Sequence, residues 1–209
     1  MSMMRSLKKY HSKSYPTIII VPSVMHRRVR SRSQTKNPRL KEVIIVSKTE
    51  KNLKDAFAGE SQANRTYLAF AKKAEQEGFK QVAKLFRAAA EAETVHAHNH
   101  LREIGTIKGT KENIEYSMAG EIHEFKSMYP QMIEDAKAEG VQGALKSFTY
   151  ANDVEKIHAD LYKKALDTLG KEKPVEYYVC QVCGMTVENE PPDECPVCKS
   201  KKQAFKKVE

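Results

Sequence analysis

The sequence predicts a mainly α-helical fold, in which a four-helix bundle precedes a small domain that holds a metal through cysteines. Two observations support this prediction. A pattern of glutamate and histidine residues occurs twice in the central part of the chain, and two Cys-x-x-Cys motifs follow near the C terminus. The 209 residues are enough for one sizeable domain and one small module.

Helical periodicity and turn residues divide the central part of the chain into four long helices. Ser47 and Glu50 form a capping box that begins the first helix. Pro130 lies inside the third helix, where we expect a kink. Short connections between long helices are typical of a four-helix bundle. The helices are predicted at about 48–77, 79–104, 111–139 and 141–169, and the glycines that end them are Gly78, Gly105, Gly140 and Gly170.

The N-terminal segment differs from the rest in charge. Residues 1–48 hold 12 Lys and Arg against one acid, Glu42, so the rest of the chain carries 9 − 11 = −2. A near-neutral body argues against a nucleic-acid partner, and no apolar run approaches the roughly 20 residues that span a membrane. The segment is a disordered tail, a wrongly chosen start or an organelle transit peptide. We therefore expect a cytoplasmic protein, or an organellar one in the last case.

The predicted domains follow from these boundaries. They are a basic, disordered N-terminal extension (1–48), a di-metal four-helix bundle (49–170), a linker (171–176) and a four-cysteine domain (177–209).

The doubled pattern supplies two matched sets of metal ligands. Each half has a lone glutamate followed by Glu-x-x-His, whose two side chains lie on one helical face. Charged groups directed at a core are costly unless they are paired or bind a metal, so we expect the halves to meet around one di-metal site. Carboxylate and imidazole ligands favour iron or manganese. The sets are Glu60, Glu93 and His96 in the first half, and Glu121, Glu155 and His158 in the second.

The two halves differ beside the second lone glutamate. Glu124 follows that glutamate by three residues, whereas the first half has Ala63 at the matching position. Glu124 is therefore a seventh candidate ligand, and we interpret Glu124 and His96 as alternative ligands of one metal. Tyr67 and Tyr129 lie near the ligands by helix phase, either as core aromatics or as hydrogen-bond partners of a ligand carboxylate.

The four cysteines form two close pairs, Cys180 with Cys183 and Cys195 with Cys198. Two such pairs indicate tetrahedral sulfur ligation in a reducing compartment, not a disulfide framework. The spacing leaves both zinc and iron open. A di-metal bundle on the same chain favours a one-electron iron centre over a structural zinc.

In combination, these motifs resemble those of the rubrerythrin family over nearly the whole chain from Thr49 to Val208. The resemblance implies a ferritin-like four-helix bundle with two irons, followed by a rubredoxin-like domain with one iron, or zinc, on four cysteines. Met185 departs from the family, because rubredoxin-like knuckles often carry an aromatic residue there. The matching segments are 58–61, 74–79, 84–88, 93–97, 120–124, 128–130, 155–159 and the two Cys-x-x-Cys motifs.

The resemblance also implies roles for individual residues. Glu93 and Glu155 would bridge the two irons, and one iron would exchange Glu124 for His96 on reduction. Tyr67 and Tyr129 match tyrosines beside the family's site. The implied iron ligands are Glu60, Glu93, Glu121, Glu124, Glu155 and His158.

The function that the resemblance implies is a non-haem di-iron peroxidase, which reduces hydrogen peroxide to water in oxidative-stress defence. Electrons would come from rubredoxin or an NAD(P)H-dependent reductase, because the chain has no Gly-rich dinucleotide motif. A homodimer or higher oligomer is implied, with transfer from one subunit's cysteines to the other's di-iron site. The alternatives are a ferroxidase or iron-storage protein and a non-enzymatic module with structural zinc.

Overall fold

The computed structural model describes residues 47–171 and 173–209. The predicted extension over residues 1–48 therefore lies almost entirely outside the described residues. The described part consists of long helices followed by a small three-stranded sheet that carries the cysteines, which confirms the predicted fold class. None of the described helices is long and apolar enough to cross a membrane.

The first hairpin consists of α1 (Lys48–Gln76) and α2 (Lys80–Ile104). The α1 helix begins at Ser47, whose side chain accepts a hydrogen bond from the Glu50 N–H at 3.1 Å, as predicted. The α2 helix ends at Gly105, which adopts a left-handed conformation with φ of 74°. Small side chains let the two helices approach closely. The buried side chains of this hairpin are Ala71, Ala74, Ala83, Ala90 and Ala97.

The second hairpin consists of α3 (Thr110–His123), a π turn (Glu124–Met128), α4 (Tyr129–Ala138) and α5 (Gln142–Thr168). The predicted single helix over 111–139 is therefore interrupted before Pro130. The Tyr129 N–H donates to the carbonyl of Glu124, five residues back, which is the π-helical spacing. Pro130 then lies in the first turn of α4, where its missing N–H is tolerated.

The two hairpins are separate packing units. The α1 helix packs on α2, and α5 packs on α3, the π turn and α4. Within the described residues, neither helix of the first hairpin packs extensively against the second hairpin. The buried side chains of the described helices are consequently alanines and Val154, whereas Phe70, Val82 and Leu85 remain 49%, 45% and 67% exposed.

The C-terminal domain is a three-stranded antiparallel sheet with β1 (Tyr177–Cys180) between β2 (Thr186–Glu188) and β3 (Phe205–Lys207). A short 3₁₀ turn, Lys202–Ala204, precedes β3. The core of this domain contains Cys180, Met185 and Cys195, and Val154 of α5 packs into the same cluster. The side of the domain that holds the cysteines therefore faces the second hairpin.

Candidate metal centres

The first half-site comprises Glu60 of α1 and Glu93 and His96 of α2. Each residue offers one ligand atom, and the three atoms lie within 4.8 Å of one another. His96 Nδ1 lies 2.9 Å from Glu93 Oε2. The His96 side chain is 53% exposed and that of Glu93 is 18% exposed, so this half-site opens outward on the histidine side.

The second half-site comprises Glu121 of α3 and Glu155 and His158 of α5, again with ligand atoms within 4.8 Å. His158 Nδ1 lies 2.8 Å from Glu155 Oε2 and 3.8 Å from Glu121 Oε2. The Glu-x-x-His spacing thus produces the same contact in both hairpins, because residues three apart share one helical face. The His158 side chain, at 27% exposed, is more enclosed than that of His96.

Thr186 of β2 fixes the orientation of His158. Its Oγ1 lies 3.0 Å from His158 Nε2 and donates a hydrogen bond to the Gly184 carbonyl at 3.2 Å. The Thr186 hydroxyl oxygen can then accept a hydrogen bond from the Nε2–H of His158. Nδ1 is then the ring nitrogen that is available to bind a metal. Sequence reasoning missed Thr186, because no periodicity connects two residues 28 positions apart.

The charges of the second half-site favour a cation. The carboxylates of Glu121 and Glu155 raise the pKa of His158 from 6.5 to about 9, so the metal-free site holds an imidazolium at neutral pH. Burial raises the pKa of Glu121, and the nearby carboxylate of Glu155 adds to this effect. A metal ion would take the place of the imidazolium proton between these two carboxylates. The donor set fits a metal of the iron type, because it combines carboxylate oxygen and imidazole nitrogen.

Glu124 lies beside the second half-site but outside its cluster of three ligand atoms. Burial, followed by the charges of Glu155 and Glu121, raises the pKa of the Glu124 carboxyl.

Glu124 is also the first residue of the π turn. Glu60 precedes Glu121 by 61 positions and Tyr67 precedes Tyr129 by 62, so the second half holds one extra residue between these points. The π turn accommodates that residue, because a π turn takes one residue more than an α turn.

The two tyrosines form matching contacts in the two hairpins. Tyr67 lies 6.3 Å from Phe86 between ring centroids, at an interplanar angle of 33°. Tyr129 lies 6.4 Å from Phe148 at 38°. Burial, followed by the charges of Glu124, Glu155 and Glu121, raises the pKa of Tyr129, so its phenol stays protonated. The internal repeat is therefore a repeat of three-dimensional contacts as well as of sequence.

The structure does not bring all six predicted ligands together within one chain. Among the described residues, each half-site makes its ion pairs only within its own hairpin. The charges that perturb the pKa of Glu121 and Glu124 likewise come from the second hairpin alone. Within the described residues the two hairpins do not pack extensively on each other, so the meeting of both half-sites in one core stays a prediction.

The four cysteines form a compact sulfur site, with one pair at the end of β1 and in the turn after it, and the other pair between β2 and β3. Cys180 Sγ lies 3.6 Å from Cys198 Sγ, and Cys183 Sγ lies 3.6 Å from Cys195 Sγ. All four sulfurs lie within 4.8 Å of one another, and none is in a disulfide. Tetrahedral bonds of about 2.3 Å would hold sulfurs about 3.8 Å apart, so this geometry fits one thiolate-bound metal.

The surroundings make the four thiols unequal. Burial raises the pKa of the Cys183 and Cys195 thiols. Burial also opposes ionisation of Cys198, but the side chain and backbone N–H of Ser200 lower its pKa to about 6. Met185 Sδ lies 3.6 Å from Cys195 Sγ, so a thioether contacts the sulfur site. Sequence reasoning singled out Met185 but did not predict this contact.

The fold and the two kinds of site define the class. This is a ferritin-like helical protein with Glu/His metal ligands and a C-terminal rubredoxin-like domain. The sequence matches the Rubrerythrin family model over residues 51–166, and the model "Rubrerythrin, rubredoxin-like domain" over residues 178–206. The chain belongs to the rubrerythrin family. Its cofactors are accordingly iron, at a Glu/His di-iron site and at a four-cysteine rubredoxin-like site.

Named relatives agree with this assignment. Rubrerythrin-2 of Clostridium acetobutylicum is 34% identical over 73% of this chain and 92% of its own length. Nigerythrin of Nitratidesulfovibrio vulgaris is 33% identical over 77% of this chain and 86% of its own. A solved structure of nigerythrin in a partially reduced state is 31% identical, with a TM-score of 0.48, and covers 82% of this chain and 92% of that one.

Proposed function

We propose that the protein is a non-haem di-iron peroxidase that reduces hydrogen peroxide to water in oxidative-stress defence. A rubredoxin-like iron on the same chain would relay the electrons. The observation that carries the proposal is the contact of His158 Nε2 with Thr186 Oγ1, which joins a metal half-site to the four-cysteine domain. Family membership supports oxidoreductase chemistry in general.

The proposed ligands divide between the two centres. Glu93 and Glu155, whose side chains are 18% and 15% exposed, would bridge the metal pair. When bound, the di-iron pair supplies two electrons that, with two protons, convert one hydrogen peroxide into two waters, and the four-cysteine iron returns them singly. The proposed di-iron ligands are Glu60, Glu93, His96, Glu121, Glu124, Glu155 and His158, and Cys180, Cys183, Cys195 and Cys198 hold the third iron.

The short connection between the centres supports the electron relay. Cys183, Gly184, Met185 and Thr186 follow one another along the chain, and Thr186 contacts His158. Val154 and Ile157 of α5 pack against the same cysteine cluster. An electron on the sulfur site therefore has a route of three peptide bonds and one hydrogen bond to a di-iron ligand of the same chain. This route replaces the expected transfer between subunits in our proposal.

The unequal surroundings of the two histidines support the proposed exchange of Glu124 for His96. His158 is held through both ring nitrogens, by Glu155 and by Thr186. His96 contacts Glu93 through Nδ1, and its side chain is twice as exposed. A ring held on one side can turn toward or away from a metal at lower cost than a ring held on both sides. Tyr129, kept protonated beside Glu124, would donate a hydrogen bond in the site.

The decisive variant is Cys180→Ser, which removes one thiolate of the relay and leaves the helices intact. We expect reductase-driven peroxide turnover to be lost, because electrons no longer reach the di-iron pair. Single-turnover oxidation of the chemically reduced protein by peroxide should persist, since the Glu/His ligands are unchanged. Gln181→Ala, at the exposed neighbouring position, is the matched control and should retain both reactions.

Two results would contradict the proposal. Loss of both reactions in Cys180→Ser, with unchanged helical circular dichroism, would contradict the proposal that the cysteine site relays electrons while the Glu/His site reacts with peroxide. Uptake of many irons per chain by the wild type, without peroxide turnover, would favour an iron-handling protein instead. A visible spectrum tests the relay metal directly, because a ferric tetrathiolate site is red and a zinc site is colourless.

A further inference from the structure

We propose that the side chain of Met185 holds the reduction potential of the four-cysteine iron low. Its thioether sulfur presents lone pairs, and no hydrogen-bond donor, to one of the ligand sulfurs. A lower potential makes the ferrous site a stronger electron donor, so Met185 tunes the site for giving electrons away. This inference rests on iron at the four-cysteine site and not on the peroxide reaction.

The thioether of Met185 is in direct contact with a metal ligand. Its Sδ lies 3.6 Å from Cys195 Sγ. Met185 is 9% exposed and Cys195 is 0% exposed, and both belong to one core cluster with Val154 of α5. Because protein interiors are close-packed, the thioether has little room to leave the ligand sulfur, and water has little room to replace it.

The backbone of Met185 is tied to two further ligands. Its carbonyl accepts a hydrogen bond from the Cys180 N–H at 2.9 Å. Its own N–H donates a hydrogen bond to the sulfur of Cys183. These two bonds fix the residue and do not depend on its side chain. A substitution at this position therefore changes what faces Cys195 while the backbone contacts persist.

Other contacts to the ligand sulfurs come from hydrogen-bond donors, so the thioether contact is of the opposite kind. Ser200 Oγ lies 3.2 Å from Cys198 Sγ, and its hydroxyl can donate to a metal-bound thiolate. The N–H groups of Val197 and Cys198 donate to the sulfur of Cys195. A thioether has no proton to donate, so Met185 faces Cys195 without stabilising negative charge on it.

The charge of the reduced site explains the direction of the effect. The ferrous site carries one more negative charge than the ferric site, and the four ligand sulfurs share it. Hydrogen bonds to the sulfurs and exposure to solvent set the potential of such a site, because both stabilise that charge. The lone pairs of the Met185 sulfur repel it instead, and the buried side chain keeps water from Cys195. Both effects disfavour the ferrous state and lower the potential.

Two substitutions of Met185 test the proposal. Met185→Leu nearly keeps the volume of the side chain and removes the lone pairs, whereas Met185→Gln adds an N–H donor. We expect the potential to rise in both variants, and further in Met185→Gln. At a fixed ambient potential, the ferrous-to-ferric ratio should rise about 10-fold in Met185→Gln, since a hydrogen bond to a charged group changes an equilibrium by this order. Spectroelectrochemical titration of the ferric absorbance measures the ratio.

Met132→Leu is the matched control, because it makes the same exchange in α4, outside the cysteine domain. Its potential should equal that of the wild type, and the iron content of each variant shows that the site is retained. Unchanged or lowered potentials in Met185→Leu and Met185→Gln, at full iron content, would overturn the proposal. A rise in Met185→Gln alone would mean that only the added donor acts, and would overturn the role of the thioether sulfur.

Replacement of methionine by norleucine tests the sulfur without disturbing the packing. Norleucine has a methylene group in place of the sulfur, at all eight methionine positions of the chain. The norleucine form of the wild-type sequence should show the same rise in potential as Met185→Leu. The norleucine form of Met185→Leu should show no further shift, and a further shift would place the effect at another methionine and contradict the proposal. Because every readout is a potential or an iron content, loss of peroxide turnover would contradict the proposed function alone.

Discussion

His158 of α5 and Thr186 of β2 lie in contact, with Nε2 and Oγ1 3.0 Å apart. This pair joins the helical part of the protein to the rubredoxin-like domain at a metal ligand. The ion pair of Lys164 with Glu188 and the packing of Val154 on the cysteine cluster hold the same two parts together. The position of the imidazole in the second half-site thus depends on residues that lie far away in the sequence.

Thr186→Val should weaken metal binding at the second half-site without altering the cysteine site. Valine has nearly the shape of threonine but cannot accept the Nε2–H of His158, so the ring loses its fixed orientation. Partners of this kind typically change metal affinity by about 10- to 100-fold. Titration of the metal-free protein with Fe(II) or Co(II) measures the change. Thr186→Ser should restore most of the affinity, and an unchanged affinity in Thr186→Val would refute the positioning role.

The metal-free protein should lose stability as the pH rises from about 6.5 to about 9. His158 has a pKa of about 9 in the folded chain, above its ordinary value of 6.5. A group whose pKa is raised by folding stabilises the folded state below its unfolded pKa, and this contribution disappears as the pH rises through the folded pKa. Urea unfolding of the metal-free protein across this range measures the effect. His158→Gln should show a weaker dependence, and identical curves for both proteins would contradict this assignment.

Gly184→Ala should destabilise the rubredoxin-like domain by about 1 kcal/mol, because L-residues are disfavoured in the left-handed region. Gly184 has a φ of +85°, and an added Cβ would meet Val154 Cγ1 at an ordinary 3.8 Å. Backbone strain is therefore the only cost, and it should appear in the thermal unfolding of that domain. Gly143→Ala is the control, since Gly143 is helical with open space around it. A loss of equal size in both variants would contradict the explanation.

Much of the site could be predicted from the sequence because its chemistry is local. Glu93 with His96 and Glu155 with His158 are three residues apart, and helical geometry alone brings each pair together. The cysteine pairs are equally close in sequence and form the expected sulfur cluster. The third helix was predicted less well. Its π turn begins at Glu124, because one extra residue in the second half must be accommodated.

The sequence by itself determined the helices, the two half-sites, the four-cysteine site and the family, since each of these depends on short spacings or on a repeat. The tertiary structure alone decided which elements meet. It showed that Thr186 contacts His158, that the cysteine domain packs on α5, and that, within the described residues, the two hairpins do not pack extensively on each other. The physical reason is that periodicity specifies which face of a helix is apolar, but not which partner covers that face.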